Sequence, residues 1–444
     1  TPDCLSLLKK QLSTASPSVI ALDLETTGLD PLSDRITVIA IAVIDSEGFP
    51  HAFIVDRDIE KSVSELKAII EDSSVPKILH NAKFDWKFFW HHFGVSISPI
   101  LDTMQASRII DNGLTGFEKG WHALGGVAER YLGVTLDKDE DLRQSFTGSE
   151  LTERQINYVA QDVIIPLRLM DAFKEHMDDG LLSILELEGS CIPFTRQMEL
   201  NGFLIDQKKR EELEMILTTK LEGLREAMPD FKGGRLNPNS PKQVSDYIYE
   251  KIDRRLDATD EANLKKLRKT KLADFANNVL KARQTRKFLS TYVKRLHPDK
   301  LPKDGRLRGE FDALGTTTGR FSSRKPNLQN IPRRKEFREL FSASKGNVLV
   351  KCDYSQIELR IAAELSKDER MLQAFRDGTD LHRETASKMF VKSCEEITEM
   401  ERKRAKAVNF GMLYNMGPSR LVKDGVCETK SEGKRFINAF FSLY

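Results

Sequence analysis

Ser18-Val-Ile-Ala-Leu-Asp-Leu24, followed directly by Glu25, is the stretch on which the fold turns. Its aliphatic run, closed by the turn signal Gly28-Leu29-Asp30-Pro31, reads as a buried strand. A second apolar run over 36–44 predicts a partner strand, and 51–56 a third. An amphipathic helix is expected over 61–72, a short strand over 76–80, and a helix over 82–93 with Phe84, Phe88 and Phe89 near one face. A long helix is expected over 152–178, with Thr152 capping its first turn. Strands alternating with helices define an α/β domain ending near residue 180. Within it, Asp23 and Glu25 are two apart on a strand and share a face. Asp85 follows Asn81-Ala-Lys-Phe84 at a helix start, and Tyr158 and Asp162 lie one turn apart on a helix.

Four carboxylates converging on one pocket repel each other unless cations neutralise them, and hard oxygen donors suit Mg²⁺ or Mn²⁺. Two such ions can activate a water and stabilise a leaving oxygen, with the Tyr158 hydroxyl orienting the water. A lone Asp-x-Glu on a strand, or a lone Tyr-x-x-x-Asp on a helix, is an ordinary solvated surface. The ordered set LDLETTGLDP, HNAKFD and YVAQD is far more specific. It resembles the DEDD family of 3′–5′ exonucleases, in the subgroup with Tyr in the third motif. The resemblance covers about residues 15–180 and includes Tyr131-Leu-Gly133 and Leu151-Thr-Glu-Arg-Gln155. It implies Asp23, Glu25, Asp85 and Asp162 as metal ligands and an RNase H-like mixed sheet with helices.

From 184 to 295 the pattern is nearly all helical, interrupted at Asn237-Pro-Asn-Ser-Pro241, where Ser240 can cap the next helix. A strand is expected over 347–353, ending at Asp353, then a helix starting by Ile357. Arg402, Lys406 and Phe410, each four residues apart, form one helical stripe drifting by about 40° per step. Such a stripe alone is usually a solvated face. Opposite an acidic strand end it can clamp a triphosphate, with Phe410 as a flat wall for sugar and base.

The segments after residue 185 resemble family A DNA polymerases of the bacterial polymerase I type. Those carrying the resemblance are Glu199-Leu-Asn-Gly202 with Asp206, 236–244, Ser290-Thr-Tyr292, Thr318-Gly-Arg-Phe-Ser-Ser323, Pro326-Asn-Leu-Gln-Asn-Ile-Pro332, Asp353 to Arg360 and Arg402 to Tyr414. The resemblance implies a mainly helical thumb and a partial α+β palm and fingers. The boundaries expected are 1–183 exonuclease, 184–310 palm start and thumb, 311–375 palm and 376–444 fingers. It makes Asp353 a catalytic metal ligand and Glu358 a steric gate against a 2′-hydroxyl. Tyr414 would close on the template base, and Gln356, His382, Arg402, Lys406 and Phe410 would be nucleotide contacts. Arg283, Arg286, Ser290, Thr291, Tyr292, Thr318, Arg320, Gln329 and Asn330 would hold duplex DNA, with hydroxyls from Thr316–Thr318 and Ser322–Ser323 beside them.

The chain departs from that pattern. The family's second palm carboxylate, usually in a His-Asp-Glu hairpin after the second motif, has no counterpart in the sequence. Polymerisation is therefore expected to need a further segment or a partner polypeptide. A stand-alone exonuclease and a DNA-binding subunit of a split polymerase are the competing readings. Asn415 stands where the family usually has Gly, and is expected to alter the turn there. The overall charge of +2 hides an asymmetry. Residues 1–185 hold 17 Lys+Arg against 29 Asp+Glu, and residues 261–345 hold 23 against 8, so the second segment is the one suited to a phosphate backbone. No 18-residue apolar run suggests a membrane helix. Five dispersed cysteines without a CxxC argue for a reducing compartment and against structural zinc. The expected partners are primer–template DNA and dNTPs, with two Mg²⁺ or Mn²⁺ ions per site. The expected setting is intracellular, in a cytoplasm or nucleoid, with an organelle as the alternative.

Overall fold

The computed structural model describes residues 2–15, 19–114, 116–136, 140–146 and 150–444. The chain groups into two compact units, Thr1–Val348 and Leu349–Tyr444.

In the first unit, α1 (Pro2–Ala15) precedes β1 (Ile20–Thr26), β2 (Ile36–Ile44), β3 (Pro50–Val55), α2 (Ile59–Ile70), β4 (Lys77–Leu79), α3 (Lys83–Phe93) and β5 (Ile100–Asp102). Ser18, where the sequence places the first strand's start, lies outside the described residues. The sheet order is β3-β2-β1-β4-β5. β1 to β3 are antiparallel, while β4 joins β1, and β5 joins β4, in parallel. β2 is apolar on both faces because both are covered. Leu22, Leu24, Ile39 and Ile41 pack with Val63, Leu66, Trp86, Phe88 and Phe89. The other face presents Ala21, Val38, Ala40 and Ala42 to Val159, Val163 and Leu167 of a long helix. Small residues on that face let the helix approach closely, and strand alternation puts Asp23 and Glu25 on the same side as Ala21.

That helix is α7 (Glu153–Phe173), reached through α4 (Thr103–Ile110), α5 (Leu124–Leu132) and α6 (Glu140–Gln144). Thr152 and Gln155 form a reciprocal capping box at its start, and Pro166 lies inside it. It ends at Phe173, short of the expected 178. Helix α8 (Asp179–Asn201) then packs so tightly on β5 that a Cβ at Gly189 would lie 2.7 Å from the Ile100 carbonyl oxygen.

The rest of this unit is the helical region expected. β6 (Phe203–Ile205) leads to α9 (Gln207–Glu226), and the two-residue strands β7 (Asp230–Phe231) and β8 (Gly234–Arg235) form a small hairpin. Ser240 caps α10 (Pro241–Ile252), as its position before a proline suggests. α11 (Glu261–Lys265) and α12 (Ala273–Lys287) follow, and α12 runs into a π-helical turn, Phe288–Val293. Val244, Ile248, Leu264, Leu267 and Val279 form one small core, and Leu213, Leu217, Leu221, Leu289, Val293 and Phe337 another. β9 (Arg306–Leu307) pairs with β6, β10 (Glu310–Asp312) pairs with β11 (Ser322–Arg324), and after α13 (Lys335–Arg338) β12 (Phe341–Ser342) pairs with β6.

The second unit is helical: α14 (Ile357–Ser366), α15 (Glu369–Asp377), α16 (Leu381–Phe390), α17 (Glu399–Leu413), α18 (Pro418–Lys423) and α19 (Lys430–Phe441). Phe436, Phe440, Met389, Val408 and Leu421 fill its main core. The strand expected over 347–353 does not form. Residues 347–353 carry no strand, and Val348 and Val350 are 81% and 80% exposed. A strand needs a ladder partner for its backbone groups, and no described strand pairs with these residues.

Candidate active sites

In the first unit, one oxygen each of Asp23, Glu25 and Asp162 lies within 4.8 Å of the others. β1 supplies the first two from the face that meets α7, and α7 supplies the third. Asp85 approaches from the start of α3 and is buried, its Oδ1 accepting the Leu24 N–H at 3.1 Å. It is thus tied to the strand between the two β1 carboxylates rather than placed among the three. Burial, then the charges of Asp85, Asp162 and Glu25, push the Asp23 carboxyl well above its usual range. Burial, with Asp102 and Asp162, raises Asp85 likewise. Crowded carboxylates that resist ionising together are a fitting donor set for hard divalent cations. Tyr158 lies one turn before Asp162, its ring centroid 6.0 Å from that of Phe146. It borders an open pocket of about 340 Å³ with Glu153, Arg154, Asn157 and Gln161.

Sequence reasoning passed over Asp102. Its carboxylate caps α4 through the Met104 and Gln105 N–H groups and also accepts the N–H of Asn81 (3.0 Å) and Ala82 (2.9 Å). One buried carboxylate thereby fixes the turn from which α3 and Asp85 start. The only sequence signal was an Asp directly before Thr at a strand-to-helix boundary.

The residues expected on duplex DNA divide into exposed and internal ones. Arg286, Ser290, Thr318, Arg320, Gln329 and Asn330 are exposed. Thr316 Oγ1 accepts the Arg320 N–H at 3.0 Å and meets Thr318 Oγ1 at 3.2 Å, closing the turn that carries both. Gln329 Nε2 donates to the Phe321 carbonyl at 2.7 Å. Thr291 and Tyr292 are half-buried and, with Asn330 and Phe337, line an apolar cavity of about 200 Å³. Two expectations need amending. The half-buried Arg283 guanidinium donates to the Pro238 carbonyl (2.7 Å) and to Thr259, so it joins two loops as well as facing solvent. Ser323 is buried, accepting the Leu328 N–H at 3.1 Å, so its hydroxyl holds the loop.

In the second unit, Tyr414 Oη donates to Glu358 Oε1 at 2.7 Å, joining the expected gate to the expected template residue. Arg402 Nε meets Asp380 Oδ2 at 2.6 Å. Burial raises the Asp380 carboxyl, but the Arg402 hydrogen bond and charge and two backbone N–H groups outweigh it and leave it below its usual range. Lys406 Nζ lies 5.8 Å from the Phe410 ring centre, and the His382 ring 5.9 Å from it. His382 is 2% exposed, and burial pushes its imidazole down to about 4. Its Nδ1 meets Asn409 Nδ2 at 3.1 Å, and its burial disfavours a charged ring. Gln356 takes a left-handed backbone (φ 54°) just before α14, with its Oε1 buried. Asp353 is exposed and makes no hydrogen bond or ion pair to a described residue.

The family matches divide the chain at a different place from the two compact units. Residues 207–444 match DNA polymerase family A, and residues 1–178 match the 3′-5′ exonuclease family. The chain belongs to DNA polymerase family A, with a 3′–5′ exonuclease domain before the polymerase region. It is 35% identical to DNA polymerase I of Borreliella burgdorferi over 96% of this chain and 48% of the relative. It is 32% identical to DNA polymerase I of Aquifex aeolicus over 94% of this chain and 72% of the relative. It spans about half the length of the first curated relatives it matches. Among solved structures, the polymerase domain of M. smegmatis Pol1 in complex with DNA primer-template and dNTP superposes with a TM-score of 0.79. That match has 25% identity and covers all of this chain and 75% of the other.

Proposed function

We propose that this chain is the proofreading and nucleotide-binding portion of a template-directed DNA polymerase, removing mispaired 3′ nucleotides by metal-dependent hydrolysis. The observation that carries the reading is the meeting of Asp23, Glu25 and Asp162 on one face of the sheet. Asp23, Glu25, Asp85 and Asp162 would hold two Mg²⁺ or Mn²⁺ ions, whose chemistry is to ease deprotonation of water and take up charge at phosphate. Tyr158 orients the attacking water through its hydroxyl. The water oxygen bonds to phosphorus as the bond to the preceding nucleotide's 3′ oxygen breaks, and that oxygen leaves with a proton. α7 aligns Tyr158 with Asp162, and Asp102 holds the turn that brings Asp85 to β1.

For polymerisation, Arg402 and Lys406 would clamp the triphosphate, Phe410 would wall the sugar, and Glu358 would exclude a 2′-hydroxyl. Asp353 would be one of two carboxylates a two-metal site requires, the second coming from polypeptide outside this sequence. Val348–Val350, exposed and without a ladder partner, support the reading that this strand is completed by other polypeptide. Among the described residues no helix is long and apolar enough to cross a membrane. A DNA substrate places the protein where DNA is, in a cytoplasm or nucleoid.

The test is a gel assay on a 5′-labelled primer with a mismatched 3′ end on its template, with Mg²⁺, with and without dNTPs. Shortening without extension is the expected result for this chain alone. No shortening would overturn the exonuclease assignment, and extension would mean that a second carboxylate is already present.

A further inference from the structure

Two ionic bridges connect the exonuclease helices to the β10–β11 hairpin. Glu199, near the end of α8, is 5% exposed. Its Oε1 accepts from Lys83 Nζ at 2.7 Å and from the Phe311 N–H at 2.7 Å, and its Oε2 accepts from Lys87 Nζ at 3.1 Å. Lys83 also donates to the Phe311 carbonyl. One turn earlier on α8, the buried Arg196 guanidinium lies between two α3 rings, 4.6 Å from Trp86 and 4.0 Å from Trp90. The second bridge starts on α4. Arg108 makes two parallel bonds of 3.0 Å to the Asp312 carboxylate and a third, of 2.7 Å, to the Leu314 carbonyl.

The ends of these bridges are informative. Lys83 lies two residues before Asp85, and α4 is capped by Asp102, which holds the turn before Asp85. On the other side, Phe311 and Asp312 are paired in register with Ser323 and Ser322, and between them runs the exposed turn Thr316–Arg320. A bidentate Arg–carboxylate pair and a carboxylate shared by two ammonium groups and a backbone N–H fix orientation as well as distance.

We infer that Glu199 and Arg108 are positioning residues for excision from a duplex end: they hold the exonuclease helices at a set distance and angle from the hairpin that grips the primer–template. The inference rests on the exonuclease reading above and takes the Thr316–Arg320 turn as a duplex contact, as the sequence resemblance implies. A single strand that bypasses the hairpin does not need the bridges. A mispaired primer end does, because its duplex is held on one side of the bridge while its terminal nucleotide is cut on the other. A displacement of about an ångström at a reacting centre is enough to lose about a hundredfold in rate.

The experiment compares two substrates, a single-stranded oligonucleotide and a 3′-mismatched primer–template, in the parent and in Glu199→Gln, Arg108→Gln, Arg108→Asp, Asp312→Arg and Arg108→Asp/Asp312→Arg proteins. The expected result is single-strand excision within about twofold of the parent and primer–template kcat reduced about tenfold or more. The ratio should return toward the parent in the charge-swapped double variant. Equal loss on both substrates would mean that the bridges only stabilise the fold, and an unchanged ratio would mean that they position nothing; either overturns the inference. Arg108→Gln, at a less buried site, decides the case if Glu199→Gln fails to fold by thermal unfolding. A parent inactive on both substrates removes the exonuclease reading, and this inference with it. A parent active on both, with an unchanged ratio in the variants, removes the inference alone.

Discussion

Asp23 and Asp353 each follow a short aliphatic run, Val19-Ile-Ala-Leu22 and Val348-Leu-Val350, and their surroundings could hardly differ more. The first run is the central strand of a five-stranded sheet, paired with β2 on one side and β4 on the other. The second is exposed chain with no ladder partner among the described residues. The comparison teaches that an apolar run states a preference for burial, whereas a strand is a property of at least two segments. Asp23 has a fixed place because its partners lie within the next sixty residues. Asp353 has the residue type without the frame.

The strongest way to break this contrast is to remove one carboxylate from each place. Asp23→Ala or Asp162→Ala is expected to lower excision by about 10³-fold, the upper range for losing one preorganised electrostatic group, without weakening DNA binding. Asp353→Ala should leave excision unchanged. Gel assays of the three variants decide it, and comparable losses would dissolve the distinction. The charge contrast is tested by salt. If the 261–345 segment neutralises only three phosphates, primer–template affinity should fall about fortyfold between 50 and 200 mM salt. A flat titration would mean that the segment does not hold the backbone. In a preparation that extends primers, Glu358→Ala should narrow the preference for dNTP over rNTP by about tenfold, and an unchanged ratio would remove the gate.

A smaller effect concerns the metal-free protein. Asp23 and Asp85 have carboxyls raised above their unfolded values. The folded state therefore binds protons more readily than the unfolded one, and stability falls as pH rises above the ordinary carboxylate range. Tm should rise as the metal-free protein is taken from neutral toward mildly acidic pH, and Mg²⁺ at neutral pH should raise Tm in its place. A Tm indifferent to both would contradict the crowding of these groups. Smallest is Asn415, which takes a left-handed backbone (φ 52°) at the end of α17. That conformation suits Gly best and Asn next, so the turn survives the departure from the family pattern. Asn415→Ala should cost about 1–2 kcal/mol in denaturant unfolding and Asn415→Gly close to nothing.

Much of this was legible in the sequence where the deciding interactions are local. The 36–44 strand, the Thr152 cap, the Ser240 cap and the pairing of Tyr158 with Asp162 depend on period and on residues one turn apart. The three carboxylates that meet beside the sheet were readable because alternation on a strand and helical spacing fix their faces. What stayed hidden depends on contacts far apart in sequence. Arg283 looked like a phosphate contact, and nothing near it in sequence showed its partners at Pro238 and Thr259. His382 looked like a polar ligand and is buried against Asn409 and Phe410. Glu199 stood in a motif that said nothing of its ion pairs, and Asp312 stood in none, since their partners are lysines and an arginine 112 to 204 residues away.

Pro166 inside α7 has a further consequence. A proline has no N–H, so the carbonyl four residues earlier loses its ordinary helical donor, and that carbonyl belongs to Asp162. The ladder of α7 therefore lacks a rung at the height of the residue that faces the other carboxylates. A helix gives way most easily where a rung is missing, which makes this the point of least resistance along a helix otherwise pinned by its capping box and its buried face. The stiff part of α7 carries the fold, and the missing rung lies at Asp162, one of the three carboxylates that meet on the sheet.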